Sequence, residues 1–132
     1  MATPQLLLVD DDISVVLLTR TMLEGQGFRI LEANDGETAL DVLKSNKIDL
    51  IVLDAMMPNM DGFSVARQIR ENPNTADIPI LMFTSMGLID DKVAAFEAGV
   101  NDFIQKPVHP KELVARIKAL LAKGDAASGD EA

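Results

Sequence analysis

Short apolar runs alternate with helical patterns five times along this 132-residue chain, and that alternation limits the folds it can adopt. The starts of the apolar runs are roughly 20 to 30 residues apart, a spacing typical of repeated βα units and a parallel sheet. The first, third and fourth runs are apolar throughout, as expected for strands covered by helices on both faces. The pattern predicts a three-layer α/β sandwich with strands at residues 6–9, 28–32, 50–53, 80–83 and 102–104.

Residues that start or end helices stand between these strands. Asp35 can cap the second helix, and Pro110 occupies a favoured position at the start of the fifth. Glycines mark other boundaries: Gly25 and Gly27 end the first helix, Gly62 begins the third and Gly99 closes the fourth.

One domain accounts for nearly the whole chain. Residues 4–123 are predicted to form it, and a chain of this length can bury a sufficient core. Residues 124–132 consist of Gly, Ala, Ser and acids without apolar periodicity, so we expect a disordered tail or a linker stub. The chain has neither a signal-peptide pattern nor a membrane-spanning apolar run, and we expect a cytoplasmic location.

The net charge of −9 argues against direct nucleic-acid binding, because such binding needs clustered Lys and Arg and the 12 basic residues here are scattered. The absence of cysteine excludes disulfides and thiolate metal sites. Most of the acidity is typical of a solvated surface. Asp10, Asp11 and Asp12 differ, because they directly follow an apolar strand.

Ligands of parallel α/β folds bind at the carboxyl ends of the strands. In this chain those ends carry Asp10–Asp12, Asp54, Thr84–Ser85 and Lys106–Pro107. If strands 1 and 3 are neighbours, about 4.8 Å apart, their terminal carboxylates converge. Two such charges 4 Å apart repel by roughly 4 kcal/mol at an effective dielectric constant of about 20. A proton or a metal must offset this repulsion, and an all-oxygen ligand set suits Mg²⁺ or Mn²⁺ better than Ca²⁺.

The same residues suit phosphoryl chemistry. A carboxylate such as Asp54 can act as nucleophile and form an acyl phosphate. A metal and Lys106 can neutralise the charge on the transferred group, while the Thr84 hydroxyl donates a hydrogen bond to it. Each residue also has an ordinary interpretation. Asp11 or Asp12 could be a helix N-cap, and Asp12 suits that role better than a ligand. Thr84 could start a turn, and Lys106 could be a solvated surface lysine.

Taken together, the strand-end motifs resemble the signature of response-regulator receiver domains. The similarity extends over residues 4–123, and the resemblance implies a flavodoxin-like (βα)5 fold with a parallel sheet in the order 2-1-3-4-5. The motifs that carry it are Leu7-Leu8-Val9-Asp10-Asp11, Leu53-Asp54 with Met57-Pro58 and Met60-Asp61-Gly62, Phe83-Thr84-Ser85, and Phe103-Ile104-Gln105-Lys106-Pro107.

This resemblance implies that Asp54 accepts a phosphoryl group from a phosphohistidine of a histidine kinase or a histidine phosphotransfer protein. Asp11, Asp54 and the main-chain carbonyl of Met56 would ligate Mg²⁺, or Mn²⁺, with Asp10 acting mainly through bound water. Thr84 and Lys106 would contact the phosphoryl oxygens, and the bond after Lys106 would be cis. Such a chain is a regulatory phosphoacceptor in two-component signal transduction rather than an enzyme with an external substrate.

The resemblance also implies a switch, in which Thr84 moves toward the phosphoryl group and Phe103 turns inward to fill the space. Phe103 could instead be an ordinary core residue.

The last third of the chain has charges at spacings seen in receivers that dimerise through helix 4, strand 5 and helix 5. Lys92 could pair with Glu112, and Asp102 with Arg116, across a two-fold axis. Asn101 stands where a third pair would need an acid. Exposed ion pairs contribute only about 0–1 kcal/mol, so a homodimer would depend on phosphorylation.

The first helix carries more apolar residues than one buried stripe explains, and in receivers this helix helps to dock the phosphodonor. Part of its apolar surface should therefore be exposed or meet a partner.

Two other classes of protein share parts of this pattern. A phosphatase with an aspartyl nucleophile would need a second Asp where Met56 stands. A flavin-binding module would need a loop rich in Ser, Thr and Gly after strand 1, where this chain has three acids. Turnover of an external phosphate ester, or a bound yellow chromophore, would favour one or the other.

Overall fold

Strands and helices alternate throughout residues 3–57, 59–84 and 89–129, which are the residues described by this computed structural model. The elements are β1 (Gln5–Val9), α1 (Ile13–Gly25), β2 (Arg29–Ala33), α2 (Gly36–Ser45), β3 (Leu50–Asp54), α3 (Gly62–Glu71), β4 (Ile80–Thr84), α4 (Ile89–Glu97), β5 (Asp102–Gln105) and α5 (Pro110–Gly129). No helix in the described ranges is long and apolar enough to cross a bilayer.

The five strands form one parallel sheet in the order β2-β1-β3-β4-β5, which confirms the predicted fold and strand order. The predicted strand bounds are correct to within one residue. Asp54 and Thr84 were expected to follow their strands, yet each is the last residue of one. Asp54 is in register with Phe83, and Ala55 N donates to Phe83 O at 2.8 Å, so the β3–β4 ladder extends past the apolar run.

Two apolar layers cover the two faces of the sheet. Leu6 and Leu8 of β1 point to the layer that contains residues of α1 and α5, whereas Leu7 and Val9 point to the layer that contains residues of α2, α3 and α4. Because successive side chains of a strand point to opposite faces, a strand between two such layers must be apolar at every position. This explains the uninterrupted apolar runs in the sequence.

Side-chain caps begin three helices close to the carboxyl edge of the sheet. Asp35 accepts a hydrogen bond from Thr38 N at 2.7 Å, as predicted, and Asp61 accepts one from Ser64 N at 2.8 Å. Asp12 accepts from Ser14 N at 3.0 Å, which confirms the predicted N-cap. These carboxylates also favour the positive ends of the helix dipoles.

The backbone of α5 continues to Gly129, so residue 123, predicted as the end of the domain, is not a helix end. Alanine has the highest helix propensity, so the alanines of this segment favour a helical backbone even where no apolar periodicity predicts one. The division of the chain into a domain at 4–123 and a tail at 124–132 stays a prediction.

Arg70 of α3 joins two loops at the amino edge of the sheet. Its guanidinium donates to Gly99 O at 2.8 Å, to Ala76 O at 2.9 Å and to Ile78 O at 2.6 Å. It also donates to Asn101 Oδ1 at 2.7 Å, and the same oxygen accepts from Ile80 N at 2.8 Å. Asn101, which stands where a third interchain pair would need an acid, therefore has a structural role within the chain.

Replacing this guanidinium should destabilise the protein. We expect Arg70→Met to lower the free energy of unfolding by about 2–4 kcal/mol, because three partly buried carbonyl oxygens and the Asn101 side chain lose a charged donor. Arg67→Met removes an exposed arginine of the same helix and should change that energy by less than about 0.5 kcal/mol. Urea unfolding of both variants measures the difference, and equal midpoints would show that the Arg70 hydrogen bonds contribute little.

Candidate functional site

Three carboxylates converge at the carboxyl ends of β1 and β3. The pairing of Val9 with Leu53 sets the residues that follow, Asp10 and Asp54, side by side. One carboxylate oxygen from each of Asp10, Asp11 and Asp54 lies within 4.8 Å of the others. Asp10 is only 2% exposed and Asp54 only 5%, whereas Asp11 faces solvent. The convergence that the sequence predicted is present, with two of its acids inside the fold.

Lys106 reaches this cluster from the loop after β5. Its Nζ lies 3.2 Å from Asp54 Oδ1 and 3.8 Å from Asp10 Oδ2. Its backbone N donates to Thr84 O at 2.7 Å, so the loop is anchored to the end of β4. The Lys106–Pro107 bond is cis, as the resemblance implied. Lys106 is thus an internal counter-ion of the cluster rather than a solvated surface lysine.

One cation does not fully compensate the buried charge at Asp10. Oδ1 of this residue accepts from Asp12 N at 2.9 Å, but Oδ2 has no hydrogen-bond partner among the described residues. Burial raises the pKa of Asp10 to about 6, and the neighbouring Asp54 carboxylate acts in the same direction. The Asp12 amide and the Lys106 ammonium oppose these effects without cancelling them. An unsatisfied buried oxygen beside two further carboxylates is what a hard divalent cation would stabilise.

The loop from β3 to α3 folds back onto the end of β3. Gly62 N donates to Ala55 O at 2.9 Å, and a Cβ at Gly62 would lie 2.3 Å from Asp54 O. This close approach fixes the backbone on both sides of Met56, whose carbonyl is the predicted metal ligand and whose side chain is exposed. Pro58, part of the same motif, lies outside the described residues.

Thr84 is buried at the end of β4, the strand next to β3. Its neighbour Ser85 lies outside the described residues. The hydroxyl, the lysine and the acids therefore come from the ends of four strands, β1, β3, β4 and β5. These residues are far apart in the sequence, so only the predicted fold could indicate that they lie at one edge of the sheet.

Phe103, the predicted switch residue, is half-buried on β5 and contacts α4. Its ring centroid is 5.7 Å from that of Phe96, edge to face at 75°, and Lys92 Nζ lies 5.0 Å from the Phe103 centroid. Phe96 was missed by the sequence analysis, although it stands four residues after Lys92 and so on the same side of α4.

The predicted dimer face contains ion pairs within a single chain. Arg116 Nη1 lies 2.8 Å from both carboxylate oxygens of Asp102, and Arg116 Nη2 lies 3.7 Å from Glu112. Lys92, the fourth residue of the predicted face, contacts Phe103 as described above. The structure thus brings Asp102, Glu112 and Arg116 together without a second copy.

Helix α1 exposes a row of large apolar side chains, as its composition suggested. Ile13 is 81% exposed, Leu17 63% and Leu18 73%. A groove of about 490 Å³, lined mainly by apolar residues, separates α1 from α5, with Leu18 on one wall and Leu113 on the other. A second groove of about 440 Å³ lies between α1 and the loop after β2. Asp10 lines the second groove, and Lys106, which contacts the acidic cluster, lines the first.

A parallel sheet in the order 2-1-3-4-5, with acids, a hydroxyl and a lysine at its carboxyl edge, is the arrangement that the resemblance to receiver domains implied. The chain belongs to the response-regulator receiver family, because the family described as "Response regulator receiver domain" matches residues 6–118. It is therefore a receiver domain of two-component signal transduction.

Individual relatives agree with this assignment. The chain is 39% identical over 122 residues to the DNA-binding dual master transcriptional regulator RpaA of Synechocystis, covering 92% of this chain and 51% of RpaA. A putative response regulator from Chloroflexus aurantiacus is 40% identical with a TM-score of 0.88, covering 92% of this chain and 99% of that one. The chain spans about half the length of the curated relatives it matches.

A third relative bears on the acidic cluster. The receiver domain of the sensor histidine kinase PA1611 from Pseudomonas aeruginosa has a magnesium ion coordinated in its active-site cleft. That structure is 30% identical, has a TM-score of 0.85, and covers 92% of this chain and 99% of its own.

Proposed function

We propose that Asp54 accepts a phosphoryl group from a phosphohistidine of a histidine kinase or a histidine phosphotransfer protein. The observation that carries this proposal is Lys106 Nζ lying 3.2 Å from Asp54 Oδ1, within a cluster of carboxylates at the end of a buried strand. A buried carboxylate with a cation at hydrogen-bond distance is held in one position, and from there its oxygen can attack the phosphorus of a phosphoryl group placed beside it.

Mg²⁺ or Mn²⁺ is the proposed cofactor. Asp11, Asp54 and the Met56 main-chain carbonyl would hold it, with Asp10 acting through bound water. The unpartnered Oδ2 of Asp10 and the all-oxygen donor set support this choice, as does the magnesium in the PA1611 receiver. When bound, the ion supplies positive charge that neutralises the carboxylates and the equatorial oxygens of the transferred phosphoryl group.

The chain's own residues account for the rest of the transfer. A carboxylate oxygen of Asp54 forms a bond to phosphorus while the bond from phosphorus to the donor imidazole nitrogen breaks. The electron pair of the broken bond returns to that nitrogen, and the ring, protonated on its other nitrogen, leaves as neutral histidine. Lys106 balances charge on the phosphoryl oxygens, and the Thr84 hydroxyl donates a hydrogen bond to one of them. Water later hydrolyses the aspartyl phosphate and restores the carboxylate. Both the transfer and the hydrolysis therefore take place on the domain's own Asp54.

Phosphorylation is proposed to act on the rest of the chain through Thr84 and Phe103. Thr84 moves toward the phosphoryl group, and Phe103 turns inward to fill the vacated space. Phenylalanine suits this movement because its ring needs no buried hydrogen-bond partner.

Replacing the acceptor tests the core of this proposal. With acetyl phosphate and Mg²⁺, intact-mass spectrometry should detect one added phosphoryl group on the native chain and none on Asp54→Asn. Asp41→Asn, which alters an exposed acid of α2, should be phosphorylated like the native chain. Equal phosphorylation of Asp54→Asn would rule out Asp54 as the acceptor.

The exposed face of α1 is the proposed docking site for the phosphodonor. Ile13, Leu17 and Leu18 project beside the grooves that flank the site, so helices of the donor can bury them while its histidine approaches Asp54. The test needs a phosphotransfer protein that phosphorylates the native chain. We expect Leu18→Glu to lower the rate of transfer from that protein by about tenfold or more, because a charge would enter an apolar contact. Phosphorylation by acetyl phosphate should stay unchanged, and an equal loss with both donors would argue against docking there.

A phosphorylation-dependent homodimer through α4, β5 and α5 is also proposed. Because Asp102 and Arg116 already pair within one chain, interchain pairing exchanges one ion pair for another and adds little Coulombic energy.

The domain is further proposed to act in the cytoplasm, where ATP supplies histidine kinases. Its charge of −9 disfavours direct nucleic-acid binding.

A further inference from the structure

Two side chains of α4 hold the ring of Phe103, and we call this pair, Lys92 and Phe96, the Phe103 clamp. The Lys92 ammonium lies 5.0 Å from the ring centroid, within the range of a cation–π contact. The Phe96 ring meets the Phe103 ring edge to face at 5.7 Å. Phe96 is half-exposed, so the clamp lies at the surface of the domain.

We infer that the Phe103 clamp holds the switch residue in the half-buried orientation of this structure, which we call outward, and so sets how often the unphosphorylated chain visits the switched conformer. This inference rests on the proposed function, in which Phe103 turns inward, and it adds two residues that regulate that step. Neither belongs to the phosphoryl-acceptor site.

The strand register gives the inward movement a direction. Met82 pairs with Phe103 and Thr84 pairs with Gln105 across β4 and β5. Because side chains alternate along a strand, Phe103 and Thr84 point to the same face of the sheet. Turning inward therefore brings the ring toward Thr84. In the inferred movement the ring leaves Lys92 and Phe96, so both clamp contacts break.

The strength of the clamp fits a regulatory role. A cation–π contact and an edge-to-face ring pair near the surface are each modest, so together they bias the equilibrium without preventing the switch.

Fluorine NMR can observe the switch residue directly. The chain has five phenylalanines and no tryptophan or tyrosine, so 4-fluorophenylalanine labelling yields five signals, and loss of one signal in Phe103→Leu assigns that residue. Beryllofluoride with Mg²⁺ serves as the stand-in for the phosphoryl group. In the native chain it should move the Phe103 signal from the outward to the inward position.

Lys92→Met tests the clamp because it keeps the length of the side chain and removes the charge. Without beryllofluoride, the chemical shift of its Phe103 signal should move toward the value of the beryllofluoride-bound native chain. The expected movement corresponds to a two- to fivefold change in the ratio of inward to outward conformers. Its phosphorylation by acetyl phosphate should quicken by a similar factor. Lys92→Arg, which keeps the charge, should match the native chain, as should Lys118→Met on the exposed face of α5. Thermal midpoints verify that each variant is folded.

Phe96→Leu provides an independent variant and should shift the Phe103 signal in the same direction as Lys92→Met. Native Phe103 signals in both variants would overturn the clamp while leaving phosphorylation of Asp54 intact. A native chain that is neither phosphorylated nor shifted by beryllofluoride would instead contradict the proposed function. A shift in Lys118→Met as large as that in Lys92→Met would also overturn the clamp, because it would show a general effect of charge.

Discussion

Gly62→Ala is expected to destabilise the protein by about 3 kcal/mol or more and to weaken the phosphoryl-acceptor site at the same time. The added Cβ would lie 2.3 Å from Asp54 O and 2.9 Å from Ala55 Cα, and both are backbone atoms of the sheet edge. Neither can move without displacing the end of β3, unlike the tip of a flexible side chain. Overpacking against backbone usually costs about 1–3 kcal/mol, and this contact is unusually short.

The effect on the site follows from the same geometry. Relief of the clash requires α3 to move away from β3, which lengthens the 2.9 Å hydrogen bond from Gly62 N to Ala55 O. The loop that contains Met56 then loses its anchor, so we expect weaker Mg²⁺ binding and slower phosphorylation of Asp54 in whatever fraction folds. Urea unfolding and a Mg²⁺ titration followed by NMR measure the two effects.

Gly25→Ala is the matched control. Gly25 is the last residue of α1, and apart from its chain neighbours and the backbone of its own helix no described atom lies within 4 Å of the Cβ that alanine would add. Alanine there should be neutral or stabilise the protein by up to about 1 kcal/mol, because it reduces the entropy of the unfolded chain. If the two variants were equally stable, the short approach of Gly62 to Asp54 would not exist in solution.

Strand positions and the acidic cluster could be predicted because they depend on patterns local to each strand end. Uninterrupted apolar runs identify central strands, and parallel pairing then brings Asp10 and Asp54 together whatever the loops do. The strand order came from the resemblance, and the sheet confirms it. The same reasoning indicated that part of the apolar surface of α1 would be exposed, which Leu17 and Leu18 confirm.

Contacts between distant elements could not be predicted. The Arg70 hydrogen bonds span 29 residues to Gly99 and 31 to Asn101, and nothing around Arg70 in the sequence distinguishes it from the exposed Arg67. The sequence also did not reveal the ion pair between Asp102 and Arg116 within one chain. Their spacing predicts partners across a dimer, yet β5 and the following helix α5 bring them together in a single chain. Opposite charges in a sequence give no information on whether one chain or two will pair them.

Membership of the receiver family also decides between the classes that the sequence left open. The phosphatase interpretation needed a second acid at position 56, and that position is an exposed methionine. The flavin interpretation needed a phosphate-binding loop after β1, where Asp10 and Asp11 instead belong to the acidic cluster.

Asp10→Asn should stabilise the metal-free protein at neutral pH while weakening its affinity for Mg²⁺. Asparagine keeps an oxygen that can accept from Asp12 N, and it removes the charge that has no hydrogen-bond partner at Oδ2. A pKa of about 6 instead of 3.8 corresponds to at most about 3 kcal/mol of destabilisation when Asp10 is ionised. We therefore expect a gain of about 1–3 kcal/mol at pH 8, and a loss in Mg²⁺ affinity of about 10–100-fold if Asp10 acts through bound water.

The pH dependence separates this electrostatic effect from a change in packing. Because the pKa of Asp10 is higher in the folded than in the unfolded state, the folded state binds more protons between about pH 4 and pH 6. The contribution of Asp10 to stability is fully present below pH 4, where it is protonated, and is lost as the pH rises through 6. The stability of Asp10→Asn relative to the native chain should therefore rise across that window and stay constant above it.

Two comparisons make the result decisive. Saturating Mg²⁺ at pH 8 should stabilise the native chain more than Asp10→Asn, because tighter binding to the folded state adds more stability. Asp41→Asn, which changes an acid that is mostly exposed beside Lys44, should show neither the pH window nor the Mg²⁺ difference. If Asp10→Asn were equally stabilising at pH 4 and pH 8, charge repulsion would not be its cause. The acidic cluster would then need no cation to offset it, and the principal structural argument for a metal at Asp54 would fail.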